Sequence, residues 1–222
     1  MPPSSPRAWL AEGIGTFALV LIGTGAIVAN DVSGGLVTHV GVALAFGGVV
    51  AAMIYAVGDV SGAHLNPAVT IAAWLARRSP ARDVAPFVAA QVAGALAASV
   101  LVRALAADHA TLGATEPLAG PGASFAIEVA ITFLLVFVIL GVTRRPDATP
   151  SVAGLAIGGT VFLCALVAGP FCGASMNPAR SLAPALVAGR LAGLWIYLLA
   201  PVAGGVLAVG GCRAVRGPGC CS

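Results

Sequence analysis

The sequence predicts an all-α membrane protein of six transmembrane helices and two re-entrant half-helices, arranged as an inverted repeat. Three observations carry that expectation. The 222 residues are 59% hydrophobic and 9% charged, with a mean hydropathy of +1.01; a water-facing domain carries about 25% charged residues. The apolar residues fall into six runs, each close to the ~20 residues that cross ~30 Å of hydrocarbon at 1.5 Å per residue. The tripeptide Asn-Pro-Ala occurs twice, at Asn66-Pro67-Ala68 and Asn177-Pro178-Ala179, separated by 111 residues (177 − 66), half the chain.

The runs occupy residues 8–29, 36–57, 84–106, 123–142, 152–170 and 191–209. The first sits where a signal peptide would, but it is too long for one, contains Glu12 and lacks a clear cleavage site, so it reads as a span. The chain has no lysine, so arginine alone sets the orientation. Threading six spans puts Arg7, the Arg77, Arg78 and Arg82 cluster, the Arg144-Arg145 pair, Arg213 and Arg216 on one side. Asp31, Asp108, His109 and Glu116 fall on the other, with Arg103 and Arg190 at span edges. The positive-inside rule then places both termini in the cytoplasm. Abundant alanine, and arginine without lysine, suggest a GC-rich bacterial genome and hence a bacterial inner membrane.

The basic residues are dispersed over loops, which gives no nucleic-acid patch. Cys164, Cys172, Cys212, Cys220 and Cys221 follow no metal-ligand spacing. They read as small apolar residues and a free tail, with no disulfide, and no metal or cofactor is expected.

The duplication extends beyond the tripeptides. Ala45-Phe46-Gly47-Gly48 returns as Ala156-Ile157-Gly158-Gly159 (156 − 45 = 111), and Val92-Ala93-Gly94 as Val202-Ala203-Gly204 (202 − 92 = 110). Glu12, Thr16 and Phe17 return as Glu128, Thr132 and Phe133 (128 − 12 = 116). Three spans per half is an odd number, so the second half enters the membrane upside down. The single channel domain, 1–222, then divides into half-repeats 8–106 and 123–213, with half-helices at 67–77 and 178–186. Proline after a capping asparagine is a strong helix start, because the N–H that proline lacks has no intrahelical partner there. Two half-helices entering from opposite faces meet N-terminus to N-terminus near the midplane. The carbonyls before them (Gly62, Ala63, His64; Gly173, Ala174, Ser175) must line a wet path, since unpaired backbone in hydrocarbon costs several kcal/mol per group.

Ser61-Gly62-Ala63-His64-Leu65-Asn66-Pro67-Ala68-Val69-Thr70 and Gly173-Ala174-Ser175-Met176-Asn177-Pro178-Ala179-Arg180-Ser181 resemble the signature loops of the major intrinsic protein family, the aquaporins and aquaglyceroporins. With Met53-Ile54-Tyr55-Ala56-Val57-Gly58 and Ser181-Leu182-Ala183-Pro184-Ala185, the wording is similar to the nodulin-like branch of plants and its bacterial relatives. The resemblance implies a homotetramer with one pore per protomer. Members of that branch pass glycerol, boric or silicic acid, or arsenite, with variable amounts of water. It also implies an outer constriction formed by Phe46, Ala165, Ala174 and Arg180. Strict water channels show histidine where Ala165 stands, so alanine should widen the filter. Ser181 occupies the place of the aspartate usual in glycerol channels, a water-channel trait, while Tyr197-Leu198 leans towards the glycerol side.

The expected function is a passive channel for glycerol-like polyols, metalloid hydroxides such as arsenite, and water; the alternative is a strict water channel. No nucleophile with a base, metal cluster or nucleotide loop suggests an enzyme. Arg180 is the sharpest single residue, because an arginine in the membrane costs about 3 kcal/mol or more and faces a cavity when it occurs. Glu12 and Glu128 read as supports for the half-helix loops; as proton relays they would instead make a proton-coupled secondary transporter. His64 reads as a hydrogen-bonded loop residue, and Asp59 replaces a histidine common in relatives. Gly94 and Gly204 read as close helix crossings.

Overall fold

The computed structural model describes residues 5–143 and 150–217, so Arg144, Arg145, Cys220 and Cys221 lie outside the described residues. Within them, eight helices run in the order α1 (Pro6–Val32), α2 (Thr38–Ser61), α3 (Pro67–Leu75), α4 (Ala81–Leu105), α5 (Pro121–Val142), α6 (Pro150–Cys172), α7 (Pro178–Ala188) and α8 (Leu194–Arg216). Six are long and apolar enough to cross a bilayer: α1, α2, α4, α5, α6 and α8. The other two, of nine and eleven residues, span only about 14 and 16 Å at 1.5 Å per residue.

The boundaries follow local chemistry. Ser5 caps α1, its hydroxyl accepting from Ala8 N at 3.2 Å, and Pro6 begins the helix. Asn66 and Asn177 cap the half-helices, with their Oδ1 atoms accepting from Ala68 N and from Ala179 N. The first half-helix stops at Leu75, two residues short of the expected 77, because Arg77 adopts φ +59° and the chain turns there. The second runs two residues past 186, through Pro184, and ends on Gly189 at φ +71°. Helix α8 starts at Leu194 and continues to Arg216, seven residues beyond the apolar run. The apolar run stops at Gly210-Gly211, before the charges, whereas the helix continues through them and welcomes Arg213 and Arg216 in its last turn, near the negative end of its dipole. Cys164 and Cys172 are buried free thiols. Cys212 is disulfide-bonded, contrary to the sequence reading.

Small residues set the packing. A Cβ on Gly94 of α4 would strike the Gly13 carbonyl oxygen of α1, and one on Gly204 of α8 would strike that of Val129 on α5. Where α2 crosses α6, Gly47 and Gly158 face each other, and a Cβ on either would lie 2.5 Å from the other's carbonyl oxygen. These two glycines are themselves 111 residues apart (158 − 47), so this crossing straddles the pseudo-two-fold axis. The backbone before each half-helix repeats in the same detail. Gly62, Ala63 and Leu65 have φ of +87°, +47° and +53°; Gly173, Ala174 and Met176 have +77°, +42° and +53°. Left-handed non-glycine residues cost on the order of 1–3 kcal/mol each, so four of them persist only where the surroundings hold them.

Candidate functional site

The two half-helices meet head to head. Asn66 Nδ2 donates to Met176 O at 2.7 Å, and Asn177 Nδ2 donates to Leu65 O at 2.8 Å, each cap bonding the opposite half's loop. Each Nδ2 keeps a second hydrogen for which the described residues supply no acceptor. Both asparagines line a cavity of about 890 Å³. Pro67, Ala68, Pro178 and Ala179 are buried in the first turns behind them.

The same cavity reaches Phe46, Ala165, Ala174 and Arg180 at one end and Asp59, Arg77 and Arg78 at the other. Arg180, 1% exposed, donates through Nη1 to Gly113 O at 2.8 Å, and its guanidinium carbon lies 4.9 Å from the centre of the Phe46 ring. Its Nε has no protein partner among the described residues. The Phe46 ring rests on Gly23 of α1, where a Cβ would overlap it. One wall is therefore aromatic, one cationic and two are methyl groups. The charge of Arg180 adds to about +0.5 at each half-helix N-terminus, a potential that opposes cations.

Glu12 sits behind the first loop, fully buried. Its Oε1 accepts from Ser61 Oγ (2.7 Å) and His64 N (2.8 Å), and its Oε2 from Leu65 N (2.6 Å) and Gln91 Nε2 (2.7 Å). Glu128 takes the matching place in the second half, accepting from Ser175 N (2.6 Å), Met176 N (2.9 Å) and the Cys172 thiol (3.4 Å). His64 lines the cavity, with Nδ1 3.2 Å from Thr70 Oγ1 and its ring edge-on to Phe87. Arg78 donates to Thr143 Oγ1 and Leu140 O, and Arg213 to Leu75 O, tying the ends of α3, α5 and α8 together at one mouth.

Several supporting residues escaped the sequence reading. The connection between α4 and α5 supplies Gly113, the acceptor for Arg180, and Thr115, whose hydroxyl donates to Ser181 Oγ at 2.9 Å. The Ser181 hydroxyl lies 2.5 Å from Ser175 Oγ, which donates to Asn177 O at 2.9 Å and accepts from Asn177 N. A directional chain thus runs from Thr115 through Ser181 and Ser175 to the second asparagine. That connection is fastened by His109, whose Nδ1 accepts from Thr111 N and Leu112 N while Nε2 faces Asp31 at 3.1 Å.

Residues 2–210 match the family model described as Major intrinsic protein. The chain is 50% identical over 196 residues to aquaporin NIP1-4 of Oryza sativa subsp. japonica, covering 88% of this chain and 71% of that protein. It is 43% identical over 198 residues to nodulin-26 of Glycine max, covering 89% and 73%. The fold superposes on the X-ray structure of the aquaglyceroporin from Plasmodium falciparum with a TM-score of 0.86 and 24% identity, covering 96% of this chain and 98% of the other.

Proposed function

The chain belongs to the major intrinsic protein family, and from that premise we propose a passive multi-pass membrane channel, with no enzyme activity, for small uncharged polar solutes and water. The preferred solutes are glycerol-like polyols and metalloid hydroxides such as arsenite. Phe46, Ala165, Ala174 and Arg180 form the selectivity filter, and Asn66 and Asn177 form the midplane station. One observation carries the solute preference. Two of the four residues at the constricted end, Ala165 and Ala174, present only a methyl group to the cavity.

A polyol has an apolar carbon edge and a hydroxyl edge. The Phe46 ring with the two methyl groups suits the first, and the Arg180 guanidinium suits the second. At the midplane the spare amide hydrogens of Asn66 and Asn177 donate, and the adjacent loop carbonyls accept. A solute that both donates and accepts then exchanges its hydration at little net cost. Water meets the same polar terms, so it passes as well. The strict water-channel reading keeps one support, the contact of Arg180 with Phe46 at 4.9 Å, which narrows the aromatic side.

We assign the same chain to a homotetramer with a pore in each protomer, on family grounds. Both termini are placed in the cytoplasm, supported by Arg7, Arg77, Arg78, Arg213 and Arg216 at one end of the bundle. Composition supports a bacterial inner membrane.

Light scattering of proteoliposomes tests the filter, first under a sucrose gradient and then under glycerol, with Ala165→His measured in parallel. Fast glycerol entry that Ala165→His suppresses while water flux persists is the expected result. Fast water flux with no glycerol entry in either protein overturns the solute reading in favour of a water pore.

A further inference from the structure

Helix α6 carries a defect that the filter makes consequential. Pro170 lies inside it and has no N–H, so the carbonyl of Leu166, four residues earlier, loses its helical donor. A main-chain carbonyl that loses its helical donor needs another partner. The structure supplies a replacement from another helix: His39 of α2 places Nε2 2.8 Å from Leu166 O. Because a carbonyl only accepts, Nε2 must carry the hydrogen. A second, independent feature makes room for the ring. A Cβ on Gly169 would lie 2.6 Å from His39 Cε1 and 3.4 Å from Nε2, so the imidazole occupies space that any side chain at 169 would fill.

The two ends of this tie bracket the constriction. Leu166 follows Ala165 directly, and His39 is seven residues, two helical turns, before Phe46 on the same face of α2. Eight residues from each end of the tie (47 − 39 and 166 − 158), the glycines Gly47 and Gly158 hold the same two helices in backbone contact. The crossing is therefore fixed at Gly47 and Gly158, while the ends of α2 and α6 beyond it are held by His39.

We propose that His39 is a positioning residue that sets the Phe46-to-Ala165 width by capping the carbonyl orphaned by Pro170, and thereby fixes the size cut-off for solutes. This inference rests on the reading of those two residues as filter walls. His39 touches no solute. It acts through the spacing of α2 and α6.

The experiment compares the erythritol-to-glycerol permeability ratio of proteoliposomes for the wild type, His39→Leu, His39→Gln, Gly169→Ala, Pro170→Ala and the double variant His39→Leu with Pro170→Ala. Loss of one such hydrogen bond shifts the population of the docked helix end by about fivefold, so His39→Leu should raise the ratio by about that factor. Gly169→Ala, which expels the imidazole with His39 still present, should do the same. His39→Gln, which keeps an N–H donor, should return the ratio to within about twofold of the wild type. Pro170→Ala supplies the backbone N–H that proline lacks, so in that background His39→Leu should have no effect, a coupling that a general packing defect does not produce.

An unchanged ratio in both His39→Leu and Gly169→Ala, with wild-type water flux, overturns the inference. So does a His39→Leu effect of full size in the Pro170→Ala background. A wild type that admits neither polyol defeats the solute reading separately. The inference is then judged on whether His39→Leu and Gly169→Ala admit glycerol: admission supports it, and continued exclusion overturns it.

Discussion

Replacing Glu12 with glutamine separates a support from a relay. The carboxylate meets four donors, two on each oxygen: Ser61 Oγ and His64 N on one, Leu65 N and Gln91 Nε2 on the other. Glutamine has one acceptor oxygen and one NH2 group; with the oxygen on the Leu65 and Gln91 side, the NH2 faces the Ser61 hydroxyl, which can turn to accept, and His64 N, whose bond is lost. An unsatisfied buried donor costs about 1–3 kcal/mol, which is the expected cost of Glu12→Gln. At 2–4 °C per kcal/mol for a chain of this length, the melting temperature should fall on the order of 5 °C.

Glu128→Gln should cost a similar amount, about 1–3 kcal/mol, because its NH2 can face Met176 N alone. The assay is thermal unfolding of the purified protein beside water flux in proteoliposomes. Glu12→Gln melting with the wild type would refute the supporting role. If the same variant also abolished a pH-driven accumulation of solute, the proton-coupled transporter would replace the channel.

Three further outcomes follow from named contacts. Gly23→Ala places a methyl group where the Phe46 ring lies and should shift that ring and change glycerol permeability several-fold, whereas Gly25→Ala, with open space around it, should leave flux unchanged in the same light-scattering assay. Gly94→Val and Gly204→Val push a side chain into the Gly13 and Val129 carbonyls, and each should abolish folded protein in size-exclusion profiles, while Gly210→Ala, facing open space, should not. Gly113→Ala strains a residue at φ +72° and sets a Cβ 3.0 Å from Thr24 Cβ, at a cost of about 1–3 kcal/mol. The displaced carbonyl should free Arg180, and a rise in proton leak across dye-loaded vesicles measures that.

What could be read in advance follows the repeat. Asn66 and Asn177, Glu12 and Glu128, and Gly94 and Gly204 were legible because each has a twin at a similar offset, and chance does not place polar residues that way in so apolar a chain. The Arg180 acceptor was not, because residues 106–122 lie between the two halves and have no twin. Gly113 moreover contributes only a backbone carbonyl, which every residue possesses. The seat of Phe46 on Gly23 was hidden for another reason: it depends on the register between α1 and α2, which no pattern along one helix reports. His39 was hidden in the same way, since an imidazole reaching across to a carbonyl that proline has orphaned is visible only once α2 and α6 are side by side. The end of α8 was misread because hydropathy measures transfer into lipid and not helix propensity.

The reciprocal bonding of the asparagines constrains how the protein can be made. Asn66 leaves the ribosome more than a hundred residues before Met176, whose carbonyl its side-chain amide requires. Leu65 likewise waits for Asn177. The first re-entrant segment therefore has no complete partner set while only the first half has been synthesised. During that interval it must stay at the interface or be held by the insertion machinery. The pore closes on itself in one late event, after both halves have crossed the bilayer, and a truncated first half should be a substrate for quality control instead of a leaky half-channel.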